Sequence, residues 1–297
     1  MTTANLHLET WRLLWGEFWE KRAPRCSREN CRQPNRLWRW LRKRPLGVRL
    51  QGGWYCLPTC LERALVDALP RTPPAPRVSA ISHRVPLGLL LLSREQISNL
   101  QLQTALTAQR DAGHGRIGEW LQRLGFATEK QVTAALARQW ACPVLRNDQI
   151  SLDPSGLPKI PHLLLESFQM VPVNFVKSTS TLHIAFSDAI DYTVLYAIEQ
   201  MFHYHTEPCL ITPRSLHKYL AAMAGRNGRS EMVFDHIADA TEFARIIRSY
   251  AVKMTACSVR LAACGPYIWA RMECLRHQTI DLLLRNPGSA SPSPSGP

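Results

Sequence analysis

Four cysteines stand in two close pairs, Cys26-Ser-Arg-Glu-Asn-Cys31 and Cys56-Leu-Pro-Thr-Cys60. Thiolates are soft donors, and Zn²⁺ takes four of them at the corners of a tetrahedron. Two knuckles brought together supply that set, so Cys26, Cys31, Cys56 and Cys60 are the expected ligands of a structural Zn²⁺. The spacings, four and three intervening residues, are longer than the commonest two-residue knuckle. The alternative is four reduced structural thiols. Against it, the surrounding segment is basic and small, with little apolar material to fold around without a staple. Cys142, Cys209, Cys257, Cys264 and Cys274 stand singly in apolar contexts and read as small buried hydrophobes. Nine cysteines with no export signal at the N-terminus point to thiols and metal ligands in a reducing compartment.

The second pair follows Gly52-Gly53-Trp54-Tyr55 and runs into Leu61-Glu-Arg-Ala-Leu-Val-Asp-Ala-Leu69, which has helical apolar spacing. Cys56 and Cys60 therefore belong at a strand-to-helix junction. This arrangement resembles a treble-clef zinc finger. Such a finger without a base-reading helix is expected to serve interaction or stability rather than to read DNA.

A second pattern lies between residues 86 and 139. Offsetting the chain by 30 residues pairs Leu87 with Ile117, Gly88 with Gly118, Leu91 with Leu121, Leu102 with Val132, Ala105 with Ala135, Leu106 with Leu136 and Gln109 with Gln139. Each copy predicts a short helix, a turn and a second helix whose apolar residues recur every three or four positions.

These residues resemble the GspE/MshE-type N-terminal domain of type II secretion and type IV pilus ATPases. Some members bind cyclic di-GMP through two tandem segments that begin Arg-Leu-Gly, continue with an aliphatic residue and a second glycine, and end in a leucine and a glutamine. Copy two follows that form with Arg116, Ile117, Gly118, Leu121, Gly125, Leu136 and Gln139. Copy one keeps Leu87, Gly88 and Gln109 but has Pro86 in place of the arginine and Glu95 in place of the second glycine. The resemblance implies that these residues meet a nucleotide: glycine lets a backbone approach a ligand, arginine pairs with phosphate or stacks on guanine, and glutamine bonds a base edge. Arg84 lies close enough in sequence to replace part of the missing cation. The competing reading is a retained helical fold that docks on a partner without any ligand.

The resemblance extends over most of residues 85–223. Val171–Val176, Leu182–Asp188 and Glu207–Ile211 read as strands, and helices are expected after Asp188-Ala-Ile-Asp191 and from Pro213. Asp188 and Asp191 resemble the family's Asp-Pro-x-Asp turn, with Asp191 a helix cap rather than a catalytic acid. Beyond it, Ile237–Lys253 has helical spacing. Cys257–Ala263, Tyr267–Met272 and Thr279–Leu284 alternate around Gly265-Pro266 as a hairpin with a third strand.

The formal charge is +13, and residues 1–84 carry 16 Lys and Arg against 6 Asp and Glu, which leaves only about +3 for the rest. Such a bias attracts nucleic acid, acidic protein or anionic membrane alike. Residues 5–21 set Leu8, Trp11, Leu14, Trp15, Phe18 and Trp19 near one helical stripe, a packing or partner-docking helix. Pro70–Arg77 is a proline-rich spacer, Gly225–Arg229 a break, and the tail after Asn286 a low-complexity segment expected to be disordered. No apolar run approaches the roughly 20 residues of a membrane span.

Three signals are set aside. Gly113-His-Gly115-Arg-Ile-Gly118 matches a dinucleotide fingerprint, but no strand precedes it. No G-x-x-x-x-G-K-[ST] loop occurs, so ATP hydrolysis is not expected. His203-Tyr-His205, two residues apart on an expected strand, lacks a third ligand.

The expected fold class is α+β: a helix and four-cysteine zinc finger at 1–69, a linker at 70–84, the tandem helical repeat with a small α/β subdomain at 85–225, a small helix-plus-sheet module at 230–285 and a tail at 286–297. The expected function is non-enzymatic and cytoplasmic. It is cyclic di-GMP binding in a regulatory or adaptor protein that contacts a secretion or pilus component. A ligand-free docking adaptor is the alternative, and zinc-dependent nucleic-acid binding the least favoured reading.

Overall fold

The computed structural model describes residues 26–29, 31, 47–69, 84–146, 150, 156–224, 231–235, 237, 239–274 and 278–285. The expected helix at 5–21, the proline spacer, the break at 225–229 and the tail lie outside these residues. The fold is mixed α+β with two sheets, and the chain forms two compact units.

The first unit holds Pro73–Glu231, Ala262–Ile268 and Gly288–Pro297. Its repeat comprises α2 (Leu87–Leu92), α3 (Asn99–Ala112), α4 (Ile117–Arg123) and α5 (Glu129–Gln139), counted after α1 (Pro58–Ala68) of the other unit. The two copies match in local chemistry as well as in hydrophobic pattern. Ser98 and Thr128 cap α3 and α5, and each cap is completed by the glutamine three residues on, Gln101 and Gln131.

Glu95 and Gly125, equivalent by the 30-residue offset, both turn the chain in the left-handed region, at φ of 57° and 72°. The substitution in copy one therefore keeps the backbone turn and gives up only the residue that makes it without strain.

The short helices α2 and α4 cannot stand alone, and they are stabilised by exchange: α2 packs on α5 and α3 on α4, with α2 against α4 in between. Leu87, Leu91, Leu102, Ala105, Leu121, Val132, Ala135 and Leu136 are among the buried residues of this arrangement. Gly88 and Gly118 are the points of closest approach. A Cβ on Gly88 would lie 2.6 Å from Leu102 Cδ1, and one on Gly118 would lie 3.0 Å from Val132 Cγ1 and 3.1 Å from Leu87 Cδ2.

The copies differ on their outer faces. In α5, Thr133 and Ala137 are buried and the helix packs against β5 (His205–Leu210). The matching positions of α3, Gln103 and Thr107, are polar and exposed. Copy two is seated on the sheet.

That sheet runs β3 (Met170–Val176), β4 (Thr181–Phe186), β5, with β3 antiparallel and β5 parallel to β4. Val144 bridges Leu210 in parallel on the outer side of β5. The crossover helix between β4 and β5 is α7 (Tyr192–Phe202). Asp191 is its N-cap, accepting from Thr193 N at 2.7 Å, as expected from sequence. Helices α6 (His162–Ser167) and α8 (Pro213–Ala224) pack on β3.

The second unit holds Met1–Thr72, Met232–Leu261 and Trp269–Pro287. The segments read from sequence as a separate finger and a separate C-terminal module share one sheet. Its order is β2 (Gly53–Tyr55), β1 (Val48–Leu50), β7 (Ala256–Cys264), β8 (Tyr267–Cys274), β9 (Thr279–Arg285), β6 (Glu231–Phe234). The expected small antiparallel sheet thus has six strands, and β1 joins β7 in parallel, Arg49 beside Ser258 and Leu50 beside Val259. The reason is length, because a hairpin of two three-residue strands is too short to persist alone.

Helix α1 packs on α9 (Ala240–Lys253), where Glu62 pairs with Arg248 at 3.1 Å. Within the sheet, Asp281 Oδ1 accepts from Trp269 Nε1 at 2.8 Å and lies 3.7 Å from Arg271 Nη1, so this buried charge is both bonded and paired.

The matched turns give two substitutions of opposite sign. Glu95→Gly should raise the unfolding free energy by about 0.5–1 kcal/mol, and Gly125→Ala should lower it by about 1 kcal/mol, because only one of them frees a left-handed residue from its side chain. Urea midpoints of the two variants test this.

Candidate metal centre and repeat site

The hairpin β1–β2 turns through Gln51 and Gly52, both at positive φ, the two-residue form that matches the twist of paired strands. It delivers Trp54, Tyr55 and then Cys56. Two residues on, Pro58 opens α1, with its fixed φ suited to a first helical position, and Cys60 falls in the first turn. The first knuckle is laid against this hairpin by its backbone: Ser27 N donates to Trp54 O at 2.8 Å, and Trp54 N donates to Ser27 Oγ at 2.9 Å. Gly47 leaves the room that the Trp54 ring occupies, since a Cβ there would come within 2.2 Å of it.

The result is convergence of all four expected ligands. The sulfurs of Cys26, Cys31, Cys56 and Cys60 lie within 4.8 Å of one another. Cys31 is 3.3 Å from Cys56 and 3.8 Å from Cys60. Tetrahedral coordination with metal–sulfur bonds of about 2.3 Å requires sulfur–sulfur edges of about 3.8 Å, so the donor set fits a metal ion in number, type and spacing. Cys56 and Cys60 are buried, and Cys26 and Cys31 are half-buried.

Burial and neighbouring thiols push the Cys56 thiol well up from its ordinary range. Burial also raises Cys60, although Arg28 Nη1, 3.9 Å from its sulfur, acts the other way. Without a cation, therefore, Cys56 and Cys60 favour the neutral thiol. A bound metal reverses that preference by supplying the charge that thiolates need. Arg28 belongs to no motif read from the sequence; a cation inside the first knuckle was its available signal.

In the repeat, most motif residues serve the fold itself. Leu87, Gly88, Gly118, Leu121 and Leu136 are buried, Ile117 is half-buried, and Gly125 makes a turn. Gly88 and Gly118 admit a neighbouring helix. The two glutamines answer each other across the pseudo-repeat: Gln109 Nε2 donates to Gly115 O, and Gln139 Nε2 donates to Val85 O, each at 2.8 Å. Those acceptors are themselves 30 residues apart, so each copy's glutamine anchors the chain entering a short helix.

Arg116, the N-cap of α4, is the motif residue whose charged group faces outward, 61% exposed and paired with Asp188, itself 40% exposed. Pro86 takes the equivalent N-cap place on α2 and brings no charge. The Arg84 guanidinium lies 3.4 Å above the centre of the Trp140 ring, which in turn leans on Tyr192. Asp188, Trp140 and Tyr192 thus join the site's surroundings. Only Asp188 had a signal in the sequence, and then as part of a turn.

Of the remaining signals, His203 is the left-handed cap ending α7 and His205 begins β5, beside Glu199 at 3.3 Å, so the two do not share a strand face. Gly113 ends α3 and no strand precedes it. Cys209, Cys264 and Cys274 are buried as expected, Cys142 is half-buried, and Cys257 departs from expectation by being exposed. Among the described residues no helix is long and apolar enough to cross a membrane.

No protein-family model matches this chain, and no curated protein matches it. Among solved structures, it is similar to a structure of MshE with cdg (cyclic di-GMP), at 28% identity and a TM-score of 0.41, over 47% of this chain and 99% of that one. It is also similar to the N-terminal domain of XpsE in two crystal forms. One is 17% identical with a TM-score of 0.35, over 46% of this chain and 91% of that one. The other is 20% identical with a TM-score of 0.30, over 44% and 89%. These are partial similarities.

Metal binding must displace thiol protons that burial holds in place, so loading should be complete at neutral pH and fall as pH is lowered. Metal content after dialysis at pH 7.5 and pH 5.5, measured by atomic emission, checks the direction; equal content at both would contradict the four-thiolate site.

Proposed function

We propose that this chain is a non-enzymatic regulatory or adaptor protein of the cytoplasm, that its second helical copy binds cyclic di-GMP, and that its cysteine cluster holds a structural Zn²⁺. The observation that supports the nucleotide reading best is Arg116. The buried leucines and glycines of copy two and the bond from Gln109 to Gly115 O fix the backbone that carries it, and its guanidinium is directed outward. A planar guanidinium suits both a phosphodiester and a guanine face.

The partner it now has, Asp188, is exchangeable. Exposed ion pairs contribute only about 0.2–1 kcal/mol, so a phosphate can take the carboxylate's place at small cost. Copy one offers no second arginine of this kind, with Pro86 at its cap and Arg84 engaged by Trp140. Binding through one arginine-bearing copy is therefore expected. Resemblance to domains of secretion and pilus ATPases makes a component of such a system the expected protein partner.

The second reading, a docking adaptor with no ligand, is favoured by copy one, where Leu89 is 50% exposed and Leu100 is 78% exposed. Nucleic-acid binding has less support, because α1, the described helix of the finger, packs on α9.

Calorimetric titration of the full, metal-loaded chain with cyclic di-GMP separates the first two readings. Saturable binding, weakened tenfold or more by Arg116→Ala while the thermal midpoint holds within a few degrees, supports a nucleotide receptor. No heat at high micromolar ligand leaves the docking adaptor. Elemental analysis of the same preparation should give about one zinc per chain.

A further inference from the structure

The cysteine cluster sits at the edge of the six-stranded sheet and holds more than itself. Strand β1 reaches β7 through two residue pairs, Arg49 with Ser258 and Leu50 with Val259, and Gln51 Nε2 adds one bond of 3.5 Å to Leu261 O. The hairpin that makes these contacts is fastened to the first knuckle through Ser27 and Trp54, and to α1 through Cys56 and Cys60. A metal joining the two knuckles thus clamps β1 onto the edge of β7. Three-residue strands without that clamp are too short to keep their place.

The sulfurs are also unequal. Cys31 is half-buried, stands 3.3 Å from Cys56 and 3.8 Å from Cys60, and comes from the opposite knuckle. Cys60 is buried in the first turn of α1 and has Arg28 Nη1 at 3.9 Å, a cation that draws on its thiolate charge. Oxidants attack thiolates that are reachable and electron-rich. Cys31 is half-buried and has the Cys56 sulfur 3.3 Å away, which is the geometry that carries the inference.

From this arrangement, and on the reading that the cluster holds Zn²⁺, we infer that the site is an oxidant-sensitive clasp in which Cys31 and Cys56 form a disulfide, the metal leaves and the β7 edge is uncovered. The co-reactant is a hydroperoxide. The Cys31 thiolate attacks the peroxide oxygen, forming an S–O bond as the O–O bond breaks and hydroxide (or alkoxide) leaves. The Cys56 thiolate then attacks the Cys31 sulfur, forming the S–S bond while the S–O bond breaks and hydroxide leaves. Two thiolates lose two electrons in total and the peroxide gains them. Zn²⁺ keeps its charge throughout. It is released because Cys26 and Cys60 alone provide half of its ligands. Helix α1 remains docked on α9 through their buried faces and the Glu62–Arg248 pair, so the opening is confined to the hairpin and the strand it covers.

The test uses the full zinc-loaded chain with hydrogen peroxide, zinc release followed with a chromophoric chelator, thiols mapped by mass spectrometry, and backbone protection followed by hydrogen exchange. Expected are release of one zinc per chain and a Cys31–Cys56 disulfide. Exchange around Ser258 and Val259 should become at least tenfold faster, α1 should stay protected, and a thiol reductant with added zinc should reverse all of this. In Arg28→Ala, which leaves all four ligands in place, release should be several-fold faster. Retained zinc, a disulfide between other cysteines, or undiminished protection of β7 after release would overturn the clasp, and an unchanged rate in Arg28→Ala would overturn the shielding of Cys60. A purified chain that carries no zinc before peroxide is added defeats the metal reading itself, and that result is seen separately.

Discussion

Shortness is the constraint from which most of this structure follows. Strands of three residues and helices of six and seven are below the length at which backbone hydrogen bonds outweigh the entropy of ordering. Each must therefore find a partner remote in sequence. In the repeat, the first helix of one copy lies on the second helix of the other, and Gly88 and Gly118 let the helices approach closely enough to count. In the other unit, a hairpin that could not persist alone is held on one side by β7 and on the other by four converging sulfurs.

What the sequence disclosed and what it concealed divide along that line. Periodicity revealed the paired helices and the strands around Val171, Leu182 and Glu207, while capping and turn residues revealed the Asp191 cap and the hairpin at Gly265-Pro266, because those signals are local. The cysteine spacing disclosed its own convergence, since four soft donors in two pairs have few other uses. Hidden was the parallel pairing of Arg49 with Ser258, which leaves no mark in either segment, and with it the union of the first and last modules in one sheet. Also hidden were the bonds that Gln109 and Gln139 make to the backbone carbonyls of Gly115 and Val85, since an amide's letter does not name its acceptor.

The repeat shows how a duplicated pattern can be kept while its uses diverge. The caps, the left-handed turns and the glutamine anchors are shared between copies, and they are the features that make two short helices fold. The differences lie outside that framework. Copy two carries Arg116 and turns an apolar second face, through Thr133 and Ala137, onto the sheet. Copy one has Pro86 and Glu95, and its corresponding face is polar. A disturbance at Arg116 would reach the α/β half directly through Asp188 and α5.

The parallel strand pair also imposes an order in time. Chains emerge at roughly 5–20 residues per second during synthesis, so the interval between Cys60 and Val259 amounts to some tens of seconds. Throughout it the four thiols are available while the strand that β1 will join does not yet exist. An ion held by these cysteines would thus be the earliest long-range tie open to them, and the finished sheet would be assembled onto a knot of sulfur already closed.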